Sequence, residues 1–176
     1  MANIADILKG KRGLILGVAN EKSIAWGIAR FLNEHGAELA FTYQGEAFKK
    51  RVQPLAESVD SSLVLPCDVE RRDDLTKVFS EIKEAWGNLD FVVHSLAYSN
   101  KEELTGRYVE TTSDNFSRTM QISCFSFTKI AQLARPLMAE KGGSLVTLSF
   151  YGAERVIPSY NVMGVAKAAL ETSVKY

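Results

Sequence analysis

Short apolar runs alternate with segments of helical period along the whole chain. The runs lie at residues 14–16, 39–42, 63–65, 89–94 and 144–149. The first four are continuously apolar rather than alternating, which is typical of strands in a parallel sheet that is covered on both faces. The pattern therefore predicts five buried strands with a helix after each of them.

The segments after these runs carry apolar residues at helical spacing. The first places Ile24, Ile28, Phe31 and Leu32 on one face and ends at His35 with glycine next to it, a common helix stop. Further helices are predicted at residues 46–57, at 75–86, from Thr112 or Ser113 to residue 138, and within 158–176. No linker separates the elements, so residues 1–176 are predicted to form a single α/β domain: a Rossmann-type doubly wound parallel sheet with helices on both faces.

The helical pattern at the C-terminus continues through Leu170 and Val174 to Tyr176 without a glycine, a proline or a polar cap. Helices normally end with such a signal. We therefore expect that the chain is truncated and that the last strands of the sheet are missing.

Composition and charge exclude several classes of protein. The 176 residues are 46% hydrophobic and 24% charged, as in ordinary soluble domains. Lysine plus arginine equals aspartate plus glutamate, 21 each, so no basic balance favours nucleic acid or an anionic membrane. With no apolar run of about eighteen residues and no signal peptide, a cytoplasmic protein without a membrane span is predicted.

Metal chemistry is not predicted. Cys67 and Cys124 are far apart in apolar surroundings, which favours buried reduced thiols over a disulfide. His35 and His94 are the only histidines, and they share no metal-ligand spacing with the cysteines or carboxylates. We interpret His94 as a packed structural residue.

Tyr160 and Lys167 are the strongest candidates for chemistry. The segment between them has helical character, and a spacing of seven is two helical turns, which places the phenol and the ammonium on one face. The lysine leans toward the N-terminus of its helix, and therefore toward the tyrosine. The pair offers acid and electrostatic catalysis; the alternative is a packed ring and a solvated charge.

The ends of the predicted strands carry further candidates, because open α/β sheets bind ligands beyond the carboxyl ends of their strands. Gly17 allows a tight turn and a close backbone approach, and Ser23 is placed to cap the next helix and to donate to a phosphate. Asp68 is suited to accept from an adenine amino group, or else to cap a helix. The small residues 95–97 leave room for a cofactor.

The second strand end informs the choice of cofactor. Dinucleotide folds usually read the adenosine ribose there with a carboxylate or an arginine, but Gln44 has neither beside it. NADH is therefore favoured over NADPH, although Lys49, Lys50 and Arg51 on the next helix keep NADPH open.

Several segments together resemble the bacterial NADH-dependent enoyl-acyl carrier protein reductases, a divergent branch of the short-chain dehydrogenase superfamily. Most of that superfamily places the tyrosine and the lysine four residues apart, whereas here position 164 is glycine and the lysine is Lys167. The wider spacing is specific to the enoyl reductases. The matching segments are residues 17–25, 41–44, 66–69, 94–95, 122–123 and 160–167.

The resemblance implies hydride transfer from NADH to the β-carbon of a trans-2-enoyl thioester carried on acyl carrier protein, in a homotetramer. Tyr160 would hydrogen-bond the thioester oxygen and could also deliver the proton. Lys167 would bind the nicotinamide ribose and favour an ionised tyrosine or enolate. The implied cofactor contacts are Gly17, Ser23, Ile24, Gln44, Asp68, Val69, Ser95, Leu96, Ile122 and Lys167. The implied substrate contacts are Ala97, Phe150, Tyr160 and Met163.

One position departs from the family. A tyrosine usually follows the serine or threonine of the fifth strand, but here Phe150 follows Ser149 and Tyr151 comes one place later. A shift of one residue reverses the side-chain direction in a strand, so Tyr151 is not expected to replace the missing hydroxyl. Two alternatives stay open: a carbonyl reductase of the superfamily, which the missing lysine at 164 disfavours, and a non-catalytic dinucleotide-binding fragment.

Overall fold

The computed structural model describes residues 7–176 and contains a parallel sheet of five strands. The strands are β1 (Arg12–Leu16), β2 (Glu38–Tyr43), β3 (Leu63–Pro66), β4 (Phe91–His94) and β5 (Ser144–Thr147). Their order is β3-β2-β1-β4-β5, and each neighbouring pair is parallel. The predicted doubly wound parallel sheet is confirmed, with each of its strands at a predicted apolar run. The prediction that all five strands are buried is wrong: β1, β2 and β4 are mainly buried, whereas β3 and β5 are not, because they lie at the two edges of the sheet in the described residues.

The strand order reverses at β1, which pairs with β2 on one side and β4 on the other. In register, Ile15 lies opposite Phe41 of β2 and Val93 of β4. Such a switch point opens a crevice at the carboxyl ends of the strands, where dinucleotides bind in folds of this kind.

Helices follow the strands at the predicted places. They are α1 (Ile24–Glu34), α2 (Gly45–Glu57), α3 (Asp74–Trp86), α4 (Ser113–Met120), α5 (Ser126–Met138) and α6 (Asn161–Lys175), with a π-helical segment, Gln121–Phe125, between α4 and α5. Right-handed crossovers, the rule for parallel strands, place α1 and α2 on one face of the sheet and α3 on the other. Between β4 and α4, Lys101–Leu104 and Tyr108–Glu110 form two short 3₁₀ turns.

The buried face of α1 agrees with the prediction in part: Ile28 and Leu32 pack against the core, as expected, but they are only partly buried. Ala25, Trp26 and Ala29 are buried, and the Trp26 ring meets Phe41 of β2 with 6.2 Å between centroids. By contrast, Ile24 and Phe31 are 69% and 59% exposed. The small alanines let the helix approach the sheet closely, so the face they share is buried although it is less apolar than its neighbour.

The predicted long helix of residues 112–138 is interrupted. Thr112 is the N-cap of α4, and its hydroxyl accepts a hydrogen bond from the Asn115 N–H at 3.2 Å, as predicted. The π-helical segment then inserts a wider turn, in which Ser126 Oγ donates to the Ile122 carbonyl at 2.7 Å. Such π segments occur frequently at functional sites.

Contacts divide the described chain into two compact units. The first contains the residues up to Ser95 together with Ala131–Thr147, and the second contains Leu96–Ile130 and Leu148–Tyr176. The main apolar core of the first unit lies between β1, β2, α1 and α2 and includes Ile15, Phe41 and Val52. A single domain over residues 1–176 stays a prediction. Within residues 7–176 there is no helix with the length and apolar character needed to cross a membrane.

Candidate functional site

The turn after β1 brings two backbone segments into close contact, as the sequence predicted for Gly17. This glycine has φ of +94°, and a Cβ there would overlap the Ser95 carbonyl oxygen. The Ser95 N–H in turn donates to the Leu16 carbonyl at 3.1 Å. Only glycine fits this position, because both the left-handed backbone and the close approach exclude a side chain.

Ser23 occupies the N-cap position of α1, but its hydroxyl does not cap the helix. Ser23 Oγ instead accepts from the N–H groups of Ala19 and Asn20 at 3.0 and 3.1 Å, which closes the loop before the helix. The predicted capping bond is therefore wrong, because the loop supplies nearer donors. The hydroxyl proton stays available to donate. Ile24, the first residue of α1, is exposed.

At the end of β2, Gln44 is the exposed N-cap residue of α2 and makes no side-chain capping bond. Two of the three cations that keep NADPH open lie against aromatic rings. Lys49 Nζ is 5.7 Å from the centre of the Tyr43 ring, and the Arg51 guanidinium is 5.8 Å from that of Phe48.

At the end of β3, Asp68 closes a local turn. Its Oδ1 accepts from the Glu70 N–H at 3.0 Å, and its own N–H donates to Asp74 Oδ2 at 3.0 Å. The N-cap residue of α3 is Asp73, so the helix-cap alternative for Asp68 is wrong. The adenine role of Asp68, and the cofactor contact of its half-buried neighbour Val69, stay predictions.

Buried polar groups beside the strand ends have structural roles. Burial, reinforced by the nearby carboxylates of Asp74 and Asp68, raises the pKa of the Cys67 thiol to about 12. His94 is fully buried, and its Nδ1 lies 2.8 Å from Thr147 Oγ1 of β5. This agrees with the packed role predicted for His94. Both cysteines are free, and residues 7–176 contain no cluster of three metal-ligating side chains.

In the second unit, Tyr160 lies just before α6 rather than on it. It is the N-cap residue, with φ of −124°, and its neighbours Ser159 and Asn161 have positive φ values of 59° and 36°. The prediction that phenol and ammonium project from one helix is therefore corrected: α6 carries Lys167, and a strained turn carries Tyr160. Burial raises the pKa of Tyr160.

The Tyr160 ring is packed between Phe150 and the backbone of Gly152. The Phe150 ring meets the Tyr160 ring edge-on, with 5.0 Å between centroids. Tyr151 instead lies under the Arg155 guanidinium, at 5.6 Å. That Tyr151 does not replace the missing hydroxyl stays a prediction. A Cβ at Gly152 would lie 2.6 Å from Tyr160 Cε1, so the backbone itself packs on the ring.

Lys167 is buried, with 6% of its surface exposed. Its Nζ donates to the Leu148 carbonyl at 2.6 Å. Burial lowers the pKa of Lys167, and the nearby Cys124 sulfur opposes this change. An ammonium has three N–H donors, so this one bond to the backbone leaves donors for a ligand.

The remaining predicted cofactor and substrate contacts in the second unit are either buried or near its surface. Ile122 lies in the π-helical segment and is buried, as is Met163 on α6. Ser123, the neighbour of Ile122, accepts from the Tyr98 N–H at 3.0 Å and holds the strand-end loop that includes Leu96 and Ala97. Their cofactor and substrate contacts stay predictions.

Sequence reasoning missed two residues that shape the turn around Tyr160. The signal for Gly152 is its place shortly after a strand, where glycine often marks a close approach of the backbone. The signal for Asn161 is its residue type, because asparagine is one of the few residues besides glycine that adopts a left-handed backbone.

The family model described as enoyl-(acyl carrier protein) reductase matches residues 17–176. The chain belongs to this family. It is 63% identical over 170 residues to "Enoyl-[acyl-carrier-protein] reductase [NADH] 2" of Rhizobium meliloti, covering 97% of this chain and 63% of that enoyl reductase. The resemblance seen in the sequence is confirmed.

Solved enoyl reductase structures share the fold. The Anaplasma phagocytophilum protein in complex with NAD is 58% identical, with a TM-score of 0.93 over 96% of this chain and 64% of that one. FabI from Candidatus Liberibacter asiaticus is 56% identical, with a TM-score of 0.94 over 100% of this chain and 67% of that one. The chain thus spans a little under two thirds of the length of the Rhizobium enoyl reductase.

Proposed function

We propose that the chain belongs to an NADH-dependent enoyl-acyl carrier protein reductase, which reduces the trans-2 double bond of enoyl thioesters during fatty acid elongation. The 63% identity to the Rhizobium enzyme named for this reaction supports the proposal. The complex of the Anaplasma relative with NAD supports NADH as cofactor. The switch point at β1 supplies a crevice of the kind that binds dinucleotides.

The observation that carries the proposal is the buried ammonium of Lys167. A lysine is rarely fully buried unless it is paired, yet within the described residues the recorded hydrogen bond of Lys167 Nζ is to one backbone carbonyl, that of Leu148. The remaining N–H donors suit the hydroxyl groups of a ribose. The donor set therefore fits a nicotinamide nucleotide, for which Lys167 is the proposed ribose ligand.

The chemistry of the site follows from the protonation of Tyr160. A bound NADH supplies the hydride that adds to the β-carbon of the substrate. Because burial raises the pKa of Tyr160, the phenol is neutral near pH 7 and serves as a donor to the thioester oxygen as negative charge develops there. This favours the proton-donor role over the ionised tyrosine. One such donor is worth about 3–4 kcal/mol in comparable sites.

Substrate and assembly are further parts of the proposal. Met163, Phe150 and Ala97 are the proposed contacts of the acyl chain, with acyl carrier protein as the carrier. A homotetramer in the cytoplasm is proposed as the working form. Phe116 of α4 and Phe125 of the π-helical segment are 37% and 50% exposed, which supports a subunit contact on these elements.

The test uses the complete product of the gene that encodes this chain. NADH oxidation is followed with a crotonyl thioester, and an acetoacetyl thioester is the control. We expect turnover with the first substrate only. Turnover only with the ketone would select the carbonyl reductase alternative, and NADH binding without turnover of either would select the non-catalytic one.

A further inference from the structure

The turn that holds Tyr160 is strained on both sides. Ser159 and Asn161, its immediate neighbours, have φ values of 59° and 36°. A non-glycine residue in this region is unfavourable, and such strain persists only where the surrounding structure enforces it. Contacts from elsewhere in the chain must therefore hold this turn in place.

Asn161 supplies a contact that does so. Its side-chain Nδ2 lies 3.2 Å from the Glu103 carbonyl oxygen, 3.3 Å from that of Thr105 and 3.4 Å from that of Gly106. The amide thus sits among three acceptors of one loop, residues 103–106, which we call the anchor loop. The contact is specific to an amide, because an NH₂ group has two donors and a carboxylate has none.

The anchor loop is itself fixed. The Glu103 carboxylate accepts from the Thr112 N–H at 2.9 Å and from Thr112 Oγ1 at 3.0 Å. Thr112 in turn caps α4 by accepting from the Asn115 N–H, and Asn115 is 1% exposed. Asn161 therefore connects the Tyr160 turn to the capped N-terminus of α4.

We propose that Asn161 is a positioning residue for Tyr160: its side-chain amide, held by the three carbonyls of the anchor loop, keeps the left-handed turn in which the phenol is presented to the substrate. This inference rests on the proposed function, since it assigns Tyr160 the role of donor. Asn161 acts through Tyr160 and touches no reacting atom.

Two substitutions distinguish the contribution of the Asn161 side-chain amide from that of its left-handed backbone. Asn161→Gly keeps the left-handed conformation at no steric cost and removes the amide. Asn161→Asp keeps the shape of the side chain but replaces its NH₂ group with a carboxylate oxygen, which accepts hydrogen bonds and cannot donate to the three carbonyls. We expect both variants to lower kcat by roughly 10- to 100-fold, the effect of a misplaced catalytic group. The dissociation constant of NADH should change less than about twofold, because the first unit supplies most of the proposed nucleotide contacts.

The matched control is Asn33→Ala in α1. Asn33 Nδ2 also donates to backbone carbonyls, those of Val59 at 3.2 Å and Ala37 at 3.4 Å, but in the first unit. Its loss should lower the melting temperature and leave kcat unchanged. If Asn161 had a purely structural role, its variants would likewise show a lower melting temperature with an unchanged kcat. That result would overturn the inference.

A double mutant separates positioning from any direct role. With Tyr160→Phe the phenolic hydroxyl is gone, so adding Asn161→Gly should lower kcat less than about twofold further. A full additional loss in this background would overturn the inference, as would an unchanged kcat in folded Asn161→Gly or Asn161→Asp. A parent protein that binds NADH but does not reduce crotonyl thioester would overturn the proposed function itself, and with it this inference.

If both Asn161 variants fail to fold, Gly106→Ala tests the other side of the contact. Gly106 has φ of +80°, and a Cβ at this position would meet no atom within 4 Å, so alanine strains only the anchor loop. We expect a lower kcat with unchanged NADH affinity. An unchanged kcat in this variant would overturn the inference.

Discussion

The substitution Gly152→Ala tests how tightly the backbone holds the Tyr160 ring. The new Cβ would lie 2.6 Å from Tyr160 Cε1 and nearer still to Cδ1. Carbon atoms pack at about 3.5–4.0 Å, so the ring or the backbone has to move by roughly 1 Å. The Phe150 ring, 5.0 Å away between centroids, limits the directions in which the Tyr160 ring moves.

The expected cost follows from this overlap. Overpacking by one methyl group usually costs about 1–3 kcal/mol of stability. A shift of about 1 Å at a catalytic group can lower the rate on the order of 10²-fold. We therefore expect Gly152→Ala to lower kcat roughly 10- to 100-fold and to lower the free energy of unfolding, with little change in the dissociation constant of NADH.

Steady-state reduction of a crotonyl thioester, urea unfolding and fluorescence titration with NADH measure the three quantities. Gly27→Ala is the matched control, because Gly27 lies in α1 and a Cβ there meets nothing within 4 Å. This change should stabilise the protein by about 0.5–1 kcal/mol and leave kcat unchanged. If Gly152→Ala folds and its kcat stays within twofold of the parent value, the reasoning about the ring is refuted.

Three further predictions test single side chains. Lys167→Met should raise the dissociation constant of NADH about tenfold or more, as measured by titration. The control is Lys175→Met, at an exposed position on the same helix. If the Lys167→Met variant binds NADH as tightly as the parent protein, the ribose role of Lys167 is contradicted. Burial opposes the ionisation of Asp90, but hydrogen bonds from Lys11 and a backbone N–H hold its pKa below the usual value. Asp90→Asn should therefore lower the free energy of unfolding, measured in urea at pH 7. The difference in this free energy between the parent protein and the variant should narrow as the pH falls below about 4; a difference that stays constant with pH would refute this reasoning. Because the pKa of Cys67 is about 12, its thiol should resist iodoacetamide at pH 8 until the protein unfolds, as measured by mass spectrometry of its peptide; rapid labelling of the folded protein would contradict this.

Local sequence patterns were sufficient to predict the strands, most of the helices and the family. Apolar runs indicated five parallel strands near their observed bounds; the reason, that strands buried on both faces need no polar alternation, applies to the central strands β1, β2 and β4. Gly17 was correctly predicted to allow a close approach, since a glycine after a strand is needed where two backbones meet. The seven-residue spacing of Tyr160 and Lys167, together with the other matching segments, indicated the family.

Tertiary contacts decided the orientation of these groups. Ser23 bonds to its own loop rather than to α1, and the exposed face of α1 carries Ile24 although it is apolar. Tyr160 lies just before α6, and the amide of its neighbour Asn161 reaches carbonyls more than fifty residues earlier in the chain. The sequence by itself determined which residue types stand at each strand end and helix start. Only the folded structure decided their partners. A hydrogen bond between distant residues depends on how the chain packs, and it produces no periodic pattern in the neighbouring sequence from which it could be predicted.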